Sequence, residues 1–315
     1  MLAPILIRTR SFGISIAMTK LVECIPNFSE GRRPEVLEAI AGAIRATPGV
    51  TLLDMESDQD HNRSVMTFIG EPEAVKNAML AAAAKAVGLI DMEKHRGEHP
   101  RLGAIDVVPF VPISEMTMAE AVDLARRVGN DLWDRLRLPV YFYEEAAVRP
   151  ARKNLPDVRK GEYEGRKQDI GKPEWMPDVG EPMMHPTAGA TIVGARYPLI
   201  AFNVNLRTGD LDIAKKIAKT VREKDGGLPA VRALGFEIKQ RGIVQVSMNL
   251  VNYHRTEIFS AFEAVRAEAA RAGVEVEGSE IVGLVPLEAL VQCVDHFLAL
   301  ENFRPAQILE TRLQK

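Results

Sequence analysis

Apolar and polar positions along this 315-residue chain follow two alternating periods from residue 20 onward. Residues 21–28 (LVECIPNF) alternate and predict a short strand. Residues 33–46 place Val36, Ile40 and Ile44 four apart on one helical face, and Pro48 and Gly49 end that helix. Residues 50–56 predict a buried strand, 57–61 a polar acidic loop and 63–70 a further strand. Residues 72–91 predict an alanine-rich helix. A strand follows over 104–113, where Pro109 argues for a sheet edge or a bend. Residues 117–129 predict a helix and 140–144 a strand. The order is β-α-β-β-α-β followed by α-β, and paired strands between two helices mark a split βαβ, or ferredoxin-like, arrangement.

The second half repeats the order. A strand over 198–206 leads to a helix over 210–224 and a short helix over 231–234. Residues 236–240 and 242–253 predict a hairpin turning near Arg241 and Gly242. A helix over 256–272 stops at Gly273, a strand covers 274–283, and a last helix covers 286–300. The expected fold class is α+β, with two similar ferredoxin-like α/β subdomains. The repeat is one of architecture, without residue-level periodicity. The expected division is an extension or mis-started segment over 1–19, a first subdomain over 20–195 that includes the proline- and glycine-rich connector, and a second over 196–315. Between the halves, Pro150, Pro156, Pro173, Pro177, Pro182 and Pro186 punctuate a long aperiodic stretch. Such a stretch is a linker or a functional loop; its glycines and Trp175 favour a loop that packs and binds.

Composition narrows the function classes. Hydrophobic residues are 46% and charged residues 26% of the chain, ordinary for a soluble globular protein. A net charge of −3 gives no case for nonspecific nucleic-acid binding. No run is long and apolar enough to span a bilayer. Cys24 and Cys293, far apart, make no disulfide framework and suit a reducing compartment.

The densest chemistry is the run HRGEHPRLGAID over 95–106, with two histidines, two arginines and two acids in a loop. Histidine takes and returns a proton near neutrality, and arginines offer fixed charge to carboxylates. Three readings compete: a surface loop, a zinc site with His-x-x-Glu-His spacing, and acid–base catalysis beside an anion-binding arginine pair. The zinc motif needs a helix, which Gly97 and Pro100 interrupt. Acid–base catalysis is preferred. A second cluster, Asp54, Glu56, Asp58, Asp60, His61, Asn62 and Arg63, reads as a solvated acidic turn or a cation- or amine-binding loop. A third segment over 180–196 is rich in glycine, which lets backbone approach a ligand closely. No nucleotide fingerprint and no GxSxG motif is present.

The segments VECIPNFSEG (22–31), DHNRSVMTFIG (60–70), HRGEHPRLGAIDVVPFVPI (95–113), GARYPLIAFNVNL (194–206), VSMNLVNY (246–253) and EIVGLVP (280–286) resemble the formiminotransferase domain family, from about residue 18 to 303. The resemblance implies transfer of a formimidoyl group from N-formimidoyl-L-glutamate to tetrahydrofolate as co-substrate, in histidine breakdown. It implies two subdomains with a ligand groove between them, and a cytoplasmic homodimer without metal. It makes His99, not His95, the catalytic residue. The family's folate-binding segment corresponds to Gly180, Glu181, Pro182, Met183, Met184, His185, Pro186, Thr187, Ala188 and Gly189. Arg101, Arg63 and Arg196 are expected to hold carboxylates of glutamate or of the folate tail. Animal members carry a following cyclodeaminase domain, and this chain is expected to be a stand-alone form. They also have bulkier aromatics near Met183, Met184 and His185, and fewer acids over 56–61. A folate-binding protein without turnover, and a related transferase with another donor, are the alternatives.

Overall fold

The structure, a computed structural model, describes residues 20–304 and 307–309. The extension expected over 1–19 lies outside them. The chain divides into two units, one ending at Ala195 and one starting at Arg196.

The first unit opens with β1 (Leu21–Cys24) and β2 (Asn27–Phe28), two pieces of the single strand expected over 21–28. Ile25 and Pro26 break it, since proline cannot donate to a ladder. Then come α1 (Pro34–Arg45), β3 (Val50–Asp58), β4 (Arg63–Gly70), α2 (Pro72–Leu89) and β5 (Ile105–Ser114). Next are α3 (Met118–Leu136), β6 (Val140–Glu144), the short helices α4 (Leu155–Arg159) and α5 (Glu162–Asp169), and β7 (Thr191–Ala195). The sheet runs β1-β4-β2-β5-β7-β6, with β3 on β4. The first four strand positions pair antiparallel; β7 lies parallel to both β5 and β6.

Apolar periodicity explains the helices. Val36, Leu37, Ile40, Ala41 and Ile44 of α1 are buried, and α2 buries Val75, Ala78, Met79, Ala82 and Ala86. They join Phe28, Phe68 and Phe110 in one core. Each such Ile or Phe contributes about 1.5–3 kcal/mol by leaving water. α3 starts with a reciprocal cap, in which Thr117 Oγ1 accepts from the Glu120 N–H and the Glu120 carboxylate accepts from the Thr117 N–H.

The second unit is β8 (Ile200–Leu206), α6 (Leu211–Val221), β9 (Val231–Ile238), β10 (Ile243–Leu250), α7 (Ile258–Arg271), β11 (Val276–Val282) and α8 (Leu287–Leu298). Its antiparallel sheet has the order β11-β8-β10-β9, the split βαβ pattern anticipated from the sequence. Ile200, Phe202, Val204 and Leu206 of β8 enter its core. The alternate residues Asn203 and Asn205 are buried too, tied to Glu280 and Gln245 respectively by bonds of 3.0 and 2.9 Å.

Two expectations need correction, and a third gains detail. Pro109 is not at an edge, because β5 is paired on both sides. Its carbonyl accepts from Ile25 N–H at the break between β1 and β2, so the irregularity sits in the neighbouring strand. Residues 231–234 are strand, not helix: all of β9 pairs with β10, and sheet pairing overrides the helical leaning of Ala-Val-Arg-Ala-Leu. The aperiodic stretch over 150–190 carries α4 and α5 and is built into the first unit. Arg152 forms a buried ion pair with Asp178, whose other oxygen accepts from Phe142 N–H at 2.8 Å. The Arg166 guanidinium, fully buried, lies 3.6 Å from the Trp175 ring centre.

Removing one partner of a buried ion pair strands the other charge, so Asp178→Ala is expected to lose about 3–5 kcal/mol of stability. Urea unfolding of the variant beside the parent measures it.

Candidate active site

His95 and His99 share one loop but not one environment. Residues 95–101 form no helix, so the helical zinc motif does not arise there. His95 is buried: Nε2 lies 3.0 Å from the Asn62 carbonyl, and Nδ1 accepts from Arg101 Nε at 3.3 Å. An acceptor at Nδ1 requires the proton at Nε2, so the ring is neutral with both nitrogens engaged. Burial pushes its pKa below the ordinary histidine value.

Asn62 knits the surrounding loops. Its side-chain oxygen accepts from Gly31 N–H and its amide donates to Arg96 O, both at 2.9 Å. Its backbone is left-handed, with φ 47°. Gly97 packs so closely on this turn that a Cβ there would fall 2.3 Å from the His61 carbonyl oxygen. Glu98 N–H reaches Asp60 O at 3.3 Å. The acidic turn is thereby fastened to the histidine loop. Asn62 and His95 also line a cavity of about 360 Å³, in whose walls Glu30 pairs with Arg33 and Asp91 with Lys94, while Arg32 donates to the Gln59 carbonyl.

His99 is half-buried, and among the described residues no hydrogen bond holds its ring. Its aromatic neighbour is His61, edge-on at 6.4 Å between ring centres. Burial first, then the positive charges of Arg63 and Arg159, push its pKa down to about 3. Unliganded, this imidazole is neutral at any physiological pH.

The arginines divide by whether their charge is matched. Arg101, expected to face a substrate carboxylate, instead faces two carboxylates of the chain itself: Glu162 at 2.9 Å and Glu164, bidentate, at 2.9 and 2.6 Å. It is buried and spent on internal partners. Arg159 is ion-paired with the buried Asp106, which also accepts from Leu102 N–H at 2.9 Å. Arg63 is different. It donates from Nε at 2.9 Å, and also from Nη2, to the neutral Asn27 side chain, and among the described residues it has no ion pair. Burial and Arg159 lower its pKa, while the carboxylates of Asp106, Glu56 and Asp58 pull the other way without bonding to it. Arg196 opens the second unit and donates to the Tyr197 carbonyl at 3.0 Å.

The glycine-rich segment meets the histidine loop edge to edge. Ala104 N–H donates to Ala188 O at 2.8 Å, Ala190 N–H to Leu102 O at 3.3 Å, and Met92 N–H to Thr187 O at 2.7 Å. His185 and Gly189 bond to each other through their backbones, and His185 Nδ1 accepts from Ala188 N–H at 3.0 Å. Gly189 has φ 75°, and a Cβ there would sit 2.7 Å from Leu102 O. Gly180, Glu181, Pro182, Met183, Pro186 and Thr187 are exposed, His185 is half-buried, and Met184, Ala188 and Gly189 are buried. The segment is a rigid ledge with an open tip beside residues 102–104.

Sequence reasoning singled out His99 and Arg63 but did not find Arg159, Glu162 or Glu164. These lie more than 50 positions from their partners Asp106 and Arg101, and no local spacing announces them.

Comparison with known proteins identifies related sequences over nearly the whole chain. The formiminotransferase domain N-terminal subdomain matches residues 21–196, and the formiminotransferase domain matches 201–311. The chain is 46% identical to a glutamate formimidoyltransferase of Streptococcus pyogenes serotype M1, covering 94% of this chain and 99% of that one. It is 48% identical to a glutamate formimidoyltransferase of Thermoplasma acidophilum, covering 94% and 98%. It is 45% identical to the formimidoyltransferase-cyclodeaminase of Mus musculus, where it spans about half of the relative, 54%.

The depressed pKa values of His95, His99 and His185 tie stability to pH. Each ring stays neutral in the folded chain below its ordinary value of 6.5, whereas the unfolded chain protonates there. Stability is therefore full above that pH and lost as pH falls through it. The urea midpoint is expected to drop between pH 7.5 and 5.5, and to drop less in His99→Gln.

Proposed function

This chain belongs to the formiminotransferase domain family, and we propose that it works as a glutamate formimidoyltransferase with His99 as its catalytic residue. The reaction moves the formimidoyl group from N-formimidoyl-L-glutamate to tetrahydrofolate, giving L-glutamate and 5-formimidoyltetrahydrofolate, a step of histidine breakdown. Tetrahydrofolate is a co-substrate.

The observation that carries the assignment of His99 is the contrast within one loop. His95 has both nitrogens engaged, whereas His99 is half-buried, neutral and held by no hydrogen bond among the described residues. N5 of tetrahydrofolate attacks the electrophilic amidine carbon. The neutral imidazole takes the proton that the attacking amine must lose. A tetrahedral intermediate forms, and the imidazolium returns the proton to the departing glutamate nitrogen. One residue serves as base and then acid, which contributes about 10²–10⁴-fold. Holding both substrates together supplies much of the rest.

Arg63 complements this role. A substrate carboxylate set against its unmatched charge gains a charge-assisted bond and removes part of the positive field that suppresses proton uptake by His99. A base with pKa about 3 is weak at neutral pH; the bound anion raises it toward the working range. The ledge over 180–189 is proposed to receive the folate, with Met183, 63% exposed, offering apolar contact at its tip. Arg196 is proposed to contact a carboxylate of the folate tail. A cytoplasmic homodimer accompanies this reading, and the exposed Leu287, Leu290, Val294 and Phe297 of α8 are apolar surface available for pairing.

His99→Ala is expected to lose about 10²–10⁴-fold in kcat while tetrahydrofolate still binds; a coupled assay with calorimetry reads both, and undiminished turnover sinks the assignment. Arg63→Ala is expected to raise KM for formimidoylglutamate by about 10- to 100-fold, the worth of a hydrogen bond to a charged group.

A further inference from the structure

A ring without hydrogen bonds has to be aimed by its backbone. Around His99 the backbone is tethered on both sides. Upstream, Glu98 N–H bonds to Asp60 O. Downstream, Pro100 restricts His99 to extended conformations, and Arg101 follows. Everything that fixes Arg101 therefore bears on where the His99 ring points.

Arg101 is fixed by α5, from some sixty residues further along the chain. Its guanidinium takes Glu162 and, bidentate, Glu164. Its carbonyl accepts from Tyr163 N–H at 2.9 Å, and its Nε donates to His95. The next layer holds as well, since Tyr163 OH donates to Glu93 at 2.6 Å. Two carboxylates two positions apart do not normally face the same way on a helix. Here Glu162 takes a left-handed φ of 53°, which non-glycine residues rarely adopt, after Gly161 at 84°. That turn brings both acids onto one guanidinium.

We infer that Glu164, assisted by Glu162, is a positioning residue for the transfer reaction: through Arg101 it holds His95 and the loop that aims His99. The inference rests on the proposed role of His99. Both carboxylates are more than two-fifths exposed and partly screened by water, but the Arg101 they hold is buried, so the double variant also gives up some stability, which thermal unfolding reads separately. Their effect belongs to the alignment of the reacting groups, where a displacement of about 1 Å is felt in the chemical step. The loss should fall on kcat, not on KM.

The test uses the full chain carrying Glu164→Ala, Glu162→Ala and both together, with Glu164→Gln, which keeps one acceptor for Arg101. Steady-state kinetics, thermal unfolding and nitrogen NMR of the histidine rings are recorded for each. In the double variant kcat is expected to fall about tenfold while KM for both substrates stays within about twofold and the protein remains folded at the assay temperature. Glu164→Gln is expected to lie between. The His95 ring signals are expected to shift in the double variant, as the Arg101 bond to Nδ1 loosens. The inference is overturned if kcat of the double variant stays within about twofold of the parent, if the loss falls on KM alone, if it only tracks unfolding, or if the His95 signals do not move. His99→Ala, run alongside, separates the two ideas: full activity there sinks the role of His99, while the His95 signals still report on the clamp.

Discussion

An imidazole that must accept a proton from one nitrogen and give it to another cannot have its own ring nitrogens committed, yet it must still be aimed. Most features of the first unit can be understood from that constraint. One histidine of the loop, His95, is given up entirely to structure. Its neighbour four positions on is kept clear of hydrogen bonds, and its placement is delegated to peptide groups and to Pro100. The cost is a set of polar groups taken out of water, and each has a partner to offset desolvation: Asn62 with Gly31 and Arg96, Asp106 with Leu102 and Arg159, Arg101 with two glutamates.

Electrostatics follows the same division. Arg101 and Arg159 carry their counter-charges with them and serve as rigid fittings. Arg63 bonds only to an amide oxygen, with the carboxylates of Asp106, Glu56 and Asp58 close enough to be felt but not bonded, and its field reaches the His99 ring. Under the proposed function, a dicarboxylate substrate would set its negative charge against Arg63 and relieve part of the positive field at His99, coupling recognition to activation.

The sequence made the elements legible where period and burial agree. The four-residue spacing in α1, the alternation of β4 and the stop at Gly273 all read directly. It misled where local preference and long-range pairing disagree, as at β9, where good helix formers are drawn into a ladder by β10. It was silent on the elements over 150–195, because α4, α5 and β7 are only five, eight and five residues long. His99 was legible because histidine, proline and arginine crowd one loop. The reversal of Arg101 from substrate contact to internal anchor was not, because its partners lie 61 and 63 positions away.

The placement of β7 carries a consequence for how the first unit is made. β7 is its last strand, yet it lies between β5 and β6, which do not pair with each other. As the chain emerges from the ribosome, β6 has no neighbour to zip onto until some fifty further residues have been synthesised. Sheet closure is thus a late, non-local event, slow by the measure of sequence separation, and until then an unpaired, largely apolar strand waits exposed. The stretch that ends as the glycine-rich ledge is also the tether that delivers the closing strand, so its length answers to assembly as well as to the ligand.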